Sequence, residues 1–406
     1  MRDFLKKRRN IVDDVVSGKS SFGVIPEGWS EQQKVGARRE VVSKISKGIF
    51  KSNAIDEEVI DEASGRSCEQ IIGITKVPMG VVGPVSFLGG ESIFIPLSTT
   101  EGALVASVQR GIKALNLSKR QSFLADDKGM TRAPVFVVND LQKALEVKKW
   151  IKEQKTLSLF NKLIRKTSKH IKLKKTLVKI VGKNLFVKFF FDTESAMGMN
   201  MATIAADVLV SEIESKFEIL CASLSGNGCV DKKPSWGTVI EGRGFYIQYE
   251  AVLPEKIVES VLKTTPGDVV EVVHRKNFVG GASFGSMGFN AHFANVVAAY
   301  FLATGQDMAH VVEGSVGITT AEKDNNDLYF SVTLPNILLG VVGGGTELPT
   351  QRQALEIMGI DDRSRESKYL AARNLGAVVL AGELSLISAL ASKSLASAHE
   401  KLGRKK

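Results

Sequence analysis

The stretch Leu375–Ala391 carries Glu383 as its only charged side chain, in a run of Leu, Val, Ala, Gly and Ser. A helix that is apolar on every side has no face to give to water, so the rest of the chain has to enclose it. The run is interrupted by Glu383 and is too short for a bilayer crossing, which needs roughly 20 apolar residues. A buried helix over 375–398 is therefore expected. Ala291–Thr304 reads the same way, almost continuously apolar beyond His292 and Asn295, which share one helix face three residues apart. Two such helices call for a large core. The chain has 406 residues, more than one ordinary core accommodates, so two or three domains are expected.

Other segments have other periods. Residues 1–67 are polar and helical in pattern, broken at Pro26 and Gly28. Pro78–Pro84 is an apolar, turn-rich strand region, and residues 99–116 read as a buried helix that starts at a Thr cap. Pro134–Val138 is a strand, Asp140–Gln154 a helix, Lys174–Val181 and Asn184–Phe191 a hairpin turning at Gly182-Lys183, and 200–220 a further helix. That order suggests a ferredoxin-like module within an α+β fold. No GxGxxG follows a strand, which argues against a doubly wound dinucleotide domain. The expected domains are an N-terminal helical segment at 1–67, a large domain at 68–133 and 235–406, a small module at 134–224, and a linking loop at 225–234.

The formal net charge is +10, and it is unevenly spread. Lys143–Lys188 holds fifteen Lys and Arg against two Glu, a local +13, so the remainder is slightly acidic. With little aromatic interleaving and no binding motif, nucleic acid is not the expected partner. A phosphorylated cofactor and a solvated lysine-rich face both remain open. Cys68, Cys221 and Cys229 are odd in number and form no CxxC pair, which points away from disulfides and zinc and toward a reducing cytoplasm.

Four short stretches place chemistry in apolar or glycine-rich surroundings: Thr99-Thr100-Glu101-Gly102, Ser225–Pro234, Gly305-Gln306-Asp307, and Ala396–His399. Glu101 among small and apolar neighbours reads either as a buried acid with a raised pKa and a proton to donate or as a helix-start Glu after a Thr cap. Lys232 and Lys233 in a glycine-rich loop can stabilise an oxyanion or bind a carboxylate. Asp307 follows a helix C-terminus, a poor place for an anion unless a cation lies opposite.

In order along the chain, these segments join Cys68–Gly73, Met197–Met201, Asp231-Lys232-Lys233-Pro234 leading to Ile240–Gly244, Gly288–His292, Val342–Thr346 and Leu380–Ser385. Together they resemble the class I catalytic domain of 3-hydroxy-3-methylglutaryl-coenzyme A (HMG-CoA) reductase, in its soluble archaeal or bacterial form, over about residues 60–405. The resemblance implies a four-electron reduction of HMG-CoA to mevalonate by two NADPH, with NADH as the alternative. It implies that Lys232 stabilises the oxyanion, Glu101 protonates the carbonyl, Asp307 interacts with both and His399 protonates the departing thiolate. It also implies substrate contacts from Arg132, Ser225, Asp231, Lys233, Lys276 and Asn295, and coenzyme A contacts from Ser107, Arg110, Lys113 and His292. Cofactor contacts would come from Ser158, Met197, Gly198, Met199, Asn200, Gly343, Gly344 and Gly345. A homodimer or homotetramer with its site between subunits, no metal, no membrane partner and a cytoplasmic location are further implications.

The chain departs from the family pattern where Ser195 replaces an aspartate, where Ser158-Leu159 lacks an arginine for a 2′-phosphate, and where Gln109 replaces an asparagine. Lys162, Lys166 and Lys169 are candidates to replace the missing arginine. The rival readings are an NAD-linked, mevalonate-degrading reductase of the same fold and a catalytically silent coenzyme A- or nucleic-acid-binding relative.

Overall fold

A computed structural model describes residues 2–17, 19–20, 26, 28–47, 57–64, 67–87 and 90–393. Its centre is the Arg365–Ala391 helix of 27 residues, started by Ser364, whose side chain accepts a hydrogen bond from the Ser367 N–H. This helix begins ten residues before the expected start. Its first turns carry Arg365, Glu366, Lys368 and Arg373, so the apolar run marks only the enclosed part. The expected end at 398 lies outside the described residues. By length and composition the helix could cross a membrane, but 83% of its most apolar window is buried inside the fold.

Around it stands an antiparallel sheet in the order Ile318–Asp324, Asp327–Ile337, Phe245–Leu253, Arg120–Asp127. Alternate residues of Phe245–Leu253 point inward, so Phe245, Ile247, Tyr249, Ala251 and Leu253 meet the helix. The Leu104–Leu115 helix crosses the central helix with its backbone in contact. A Cβ on Gly111 would lie 1.9 Å from the Ala381 carbonyl oxygen, so only glycine permits that approach. The Met79–Ser86 and Ser92–Ser98 hairpin and the Phe293–Thr304 helix close this core. Each fully buried Val, Leu, Ile or Phe contributes roughly 1.5–3 kcal/mol, and the core holds dozens of such side chains.

The helix expected over 99–116 forms only at Leu104–Leu115, and no Thr cap starts it. Its N-cap is Ala103 at φ 71°, and the five residues before Leu104 make a turn away from the core.

A second core gathers Phe136, Phe160, Leu185, Phe189, Phe191, Leu209 and Ile213. Its strands run in the order Leu220–Ser223, Val135–Val137, Asn184–Asp192, with Met130–Arg132 and Lys172–Val181 both pairing with Asn184–Asp192, and all pairings antiparallel. The hairpin turns at Gly182, φ 58°, as its sequence requires. Leu141–Ile151, capped by Asp140, and Met199–Phe217 cover this sheet. A further helix, Gln154–Ile164, occupies a stretch to which the sequence reading assigns no element. Its buried stripe Thr156, Phe160 and Ile164 recurs every four residues beneath the surface lysines.

Candidate active site

Asp307 follows Thr304, the last residue of the Phe293–Thr304 helix, where exposed carbonyls disfavour an anion. The opposing cation is Lys232, whose Nζ lies 2.8 Å from Asp307 Oδ2. Asp307 also starts the next short helix by accepting a hydrogen bond from the Ala309 N–H at 3.0 Å. Burial alone would raise its carboxyl. The Lys232 hydrogen bond, the Ala309 N–H and the charges of His310 and Lys232 outweigh burial and hold it below its ordinary value of 3.8.

Lys232 sits in a loop held in an unfavourable backbone shape. Asn227, Val230 and Lys232 have φ of 61°, 48° and 57°, a region non-glycine residues enter at a cost of order 1–3 kcal/mol each. Two anchors hold the loop: the Gly226 N–H donates to the Ala133 carbonyl at 2.7 Å, and the Lys232 N–H donates to Glu313 Oε1 at 2.7 Å.

Glu313 is 1% exposed and belongs to a buried polar network. Arg243, with no exposed surface, pairs with Glu313 and with Asp231, the latter at 2.6 Å, and donates to Thr131 at 3.0 Å. Asp231, His310 and Glu313 each offer a ligand atom within 4.8 Å of the others, and Arg243 already neutralises the two carboxylates. His310, also fully buried, places Nδ1 3.0 Å from Glu313 Oε2 and Nε2 3.6 Å from Asp307 Oδ2. A buried charge network of this kind is costly unless every member is paired, and it fixes geometry more than it adds stability. The sequence reading assigns no role to Arg243, His310 or Glu313. The available signal is a lone acid in Val311-Val312-Glu313-Gly314, preceded by a histidine at helical spacing.

Arg132 lies beside this network. Its guanidinium donates to Thr203 Oγ1 at 2.6 and 3.0 Å and stands 3.9 Å from Asp231. Thr203 is in the second turn of the Met199–Phe217 helix, so Arg132 joins the loop to the segment carrying Met197, Gly198, Met199 and Asn200. Gly198 is the N-cap of that helix, at φ 89°. Ser195 and Ala196 dock against Val341 and Val342, where the Val341 N–H donates to the Ser195 carbonyl at 2.9 Å. The Gly343–Gly345 turn comes next. Gly305, at φ 70°, touches its backbone so closely that a Cβ would lie 2.1 Å from the Gly345 carbonyl oxygen. The glycine turn and Asp307 are thus held side by side.

A third group surrounds the central helix. Ser107 Oγ lies 2.9 Å from Ser385 Oγ, and Arg110 donates to the Ser385 hydroxyl at 3.0 Å and to its carbonyl. Glu383, fully buried, accepts from the Ala291 N–H at 2.8 Å, the His292 N–H at 2.6 Å and the Thr319 hydroxyl at 2.7 Å. It therefore caps the Phe293–Thr304 helix from outside and fixes His292, the helix N-cap. Lys113 is exposed one turn beyond Arg110, and Asn295 is half-buried one turn beyond His292. Gln109 is engaged on both amide atoms by the Gly83 backbone.

The remaining expected residues lie apart from the pair. Ser225 is exposed, its hydroxyl 3.6 Å from Cys229 Sγ, and Lys233 Nζ reaches only the Asp231 carbonyl at 3.1 Å. Lys276 is exposed on the Val273–Gly280 π-helix. Ser158 lines a cavity of about 510 Å³ with Lys162, Arg165, Lys169, His170, Asp192 and Arg365 among its walls. Asp192 there pairs with Arg365 at 3.0 Å, and Glu194 with His170 at 2.6 Å. Lys162, Arg165 and Lys169 form no ion pair among the described residues.

Glu101 is corrected most. It stands exposed in the turn before Leu104, and among the described residues its carboxylate contacts neither Lys232 nor Asp307. The apolar flanks that suggested burial belong to the helix behind it. His399 lies outside the described residues.

The hydroxymethylglutaryl-coenzyme A reductase family model matches residues 34–404. The 3-hydroxy-3-methylglutaryl-coenzyme A reductase of Pyrococcus horikoshii is 47% identical, over 97% of this chain and 98% of that protein. That of Methanothermobacter thermautotrophicus is 41% identical, over 97% and 100%. One from Hevea brasiliensis is 37% identical, over 97% of this chain and 70% of that protein. Among solved structures, the class II reductase from Streptococcus pneumoniae bound to NADPH in open conformations has the same fold. Its TM-score is 0.65 at 15% identity, covering 94% of this chain and 96% of that one.

Proposed function

Because the chain belongs to the hydroxymethylglutaryl-coenzyme A reductase family, we propose that it reduces (S)-HMG-CoA to (R)-mevalonate and coenzyme A with two NADPH, as a class I enzyme of the cytoplasm. One thioester, two NADPH and two protons give one primary alcohol, one thiol and two NADP⁺. The observation that carries this reading is the Lys232–Asp307 pair beside the Gly343–Gly345 turn. An ammonium held at one point by a carboxylate is poised to stabilise the oxygen that gains charge when a carbonyl is reduced.

The bound nicotinamide supplies one hydride in each of the two reductions. Lys232 stabilises the oxyanion first of the thiohemiacetal and then of the aldehyde being reduced. Glu101 delivers the proton to that oxygen, and His399 protonates the thiolate as it leaves. Arg132, Ser225, Lys233, Lys276 and Asn295 hold the substrate carboxylate and hydroxyl, with Asp231 setting Arg132. Ser107, Arg110, Lys113 and His292 hold coenzyme A.

The cofactor fits the residues present. Among the described residues a Cβ at Gly343 or Gly344 would meet nothing within 4 Å, so they leave this turn uncovered. Ala196, just before Met197–Asn200, bridges to Val342, just before the turn, and the basic cavity around Ser158 offers Lys162, Arg165 and Lys169 to a 2′-phosphate. The module at 134–224 would thus bind NADPH, residues 68–133 and 235–406 the substrate, and 225–234 would link them. The exposure of Glu101, with Trp236, Ile240 and Phe284 at 40%, 82% and 92%, supports a second copy of the chain closing the site in a homodimer or homotetramer.

Purified protein given HMG-CoA should oxidise two NADPH per mevalonate formed, with kcat/KM at least about ten-fold above that for NADH, about 1.4 kcal/mol of discrimination. Faster turnover with NADH overturns the cofactor assignment; no mevalonate with either cofactor overturns the reading itself.

A further inference from the structure

Among the described residues Asp307 Oδ2 has a single hydrogen-bond donor, Lys232. Lys232 Nζ lies 2.8 Å from this oxygen, while Oδ1 is occupied by the Ala309 N–H at 3.0 Å. The Lys232 side chain is paired with Asp307 but 43% exposed, so a substrate carbonyl can compete for its ammonium. As it does so, Oδ2 loses its hydrogen-bond donor at the moment the carboxylate has to stay in place.

We propose that His310, oriented by Glu313, is the positioning residue that keeps Asp307 partnered when Lys232 turns to the substrate. The ring is completely buried, and among the described residues its Nε2 has no hydrogen-bond partner although it is 3.6 Å from Asp307 Oδ2. Buried polar atoms are nearly always paired, so a ring nitrogen held just beyond bonding range of a carboxylate is a feature with a purpose. A shift of a fraction of an ångström completes the bond. The other nitrogen is fixed, with Nδ1 3.0 Å from Glu313 Oε2. Glu313 is fixed in turn by the Lys232 backbone N–H at 2.7 Å and by Arg243. One buried carboxylate therefore sets both the ring and the base of the lysine.

The charged groups facing the ring are Asp307 and Glu313 on its own segment, Lys232 and Asp231 on the loop, and Arg243. Bonding to both carboxylates requires a donor at each ring nitrogen. No bond to substrate is made by His310; it acts through Asp307.

The proposal rests on the reading of Lys232 and Asp307 as the reaction centre, and the test separates the two. The full-length protein and its His310→Ala, His310→Gln, His310→Asn and Asp307→Asn variants are assayed with HMG-CoA and with mevaldehyde, and their Tm values are measured. Gln places an amide donor near the Nε2 position, and Asn places one near Nδ1. His310→Ala is expected to lower kcat about 10- to 100-fold with both substrates, the range for loss of a hydrogen bond to a charged group. KM for HMG-CoA should stay within about three-fold, and His310→Gln should restore most of the rate where His310→Asn does not. Normal turnover by His310→Ala overturns the proposal, as does better rescue by Asn than by Gln, or equal loss in all three with a raised KM and lowered Tm. Normal turnover by Asp307→Asn overturns the underlying reading instead.

Discussion

Asp307 is held by groups from three directions, and its titration should report them. Its folded pKa lies below the ordinary 3.8, so its pairing stabilises the protein above the unfolded value and is lost as pH falls through the lower folded value. The Tm advantage of the wild type over Asp307→Asn, followed by thermal unfolding, should therefore be full at pH 6 and shrink toward zero in the acid range below about 4. The gap is small, at most about 1 kcal/mol, because Lys232 and Asp307 are 43% and 33% exposed and solvent screens them. A difference that grows on acidification contradicts the direction of the shift. At this scale the sequence was legible where a residue's setting is local. Lys232 in its glycine-rich loop and Asp307 after a helix end stand out by themselves. Glu313 and Arg243 do not, because their environment comes from partners as far as 70 or 81 residues away, as with Arg243 and the Lys232 backbone; His310 has its partners three residues away on either side but takes its setting from Glu313. Glu101 misled for the same reason: apolar neighbours in sequence said nothing of which way the turn faces.

The Phe293–Thr304 helix shows how one element serves both ends of the site. Glu383, from the central helix, caps its N-terminus beside His292, and Gly305 ends it one residue before Gln306 and two before Asp307. Gln306 bridges to Gly340 through both amide atoms, at 2.9 and 3.0 Å, locking the end of the helix to the segment that leads into the glycine turn. Gly305→Ala should break this junction. Its Cβ would fall 2.1 Å from the Gly345 carbonyl oxygen, at a φ of 70° that alanine resists, so a loss of at least about 2 kcal/mol is expected. If the glycine turn serves the cofactor as proposed, KM for NADPH should rise several-fold more than KM for HMG-CoA; equal rises would mean that it does not. The apolar period revealed the two buried helices, the hairpin at Gly182 and the Val135–Val137 strand, but not the short Met130–Arg132 and Leu220–Ser223 strands of the second core. It did not reveal Gln154–Ile164, whose apolar stripe is only three residues deep under a lysine-rich surface, nor the charged first turns of the central helix.

Across the whole molecule, two cores meet at one loop. The larger packs the central helix against its sheet and carries Asp307, His292 and the glycine turn; the second carries Arg132's strand and the Met197–Asn200 segment. Ser225–Pro234 runs between them and delivers Lys232 to Asp307, strained in three places and tied down by Glu313 and Ala133. This placement of the lysine is what the fold accomplishes and what the functional account depends on. The most direct test is the turnover of Lys232→Ala with HMG-CoA and with mevaldehyde, beside its Tm. Loss of roughly a hundred- to thousand-fold in kcat with both substrates, at a Tm close to wild type, is the expected result for removal of a preorganised oxyanion donor. Turnover within about three-fold of wild type on either substrate would contradict the account, because a carbonyl reduced at that rate has its charge stabilised elsewhere.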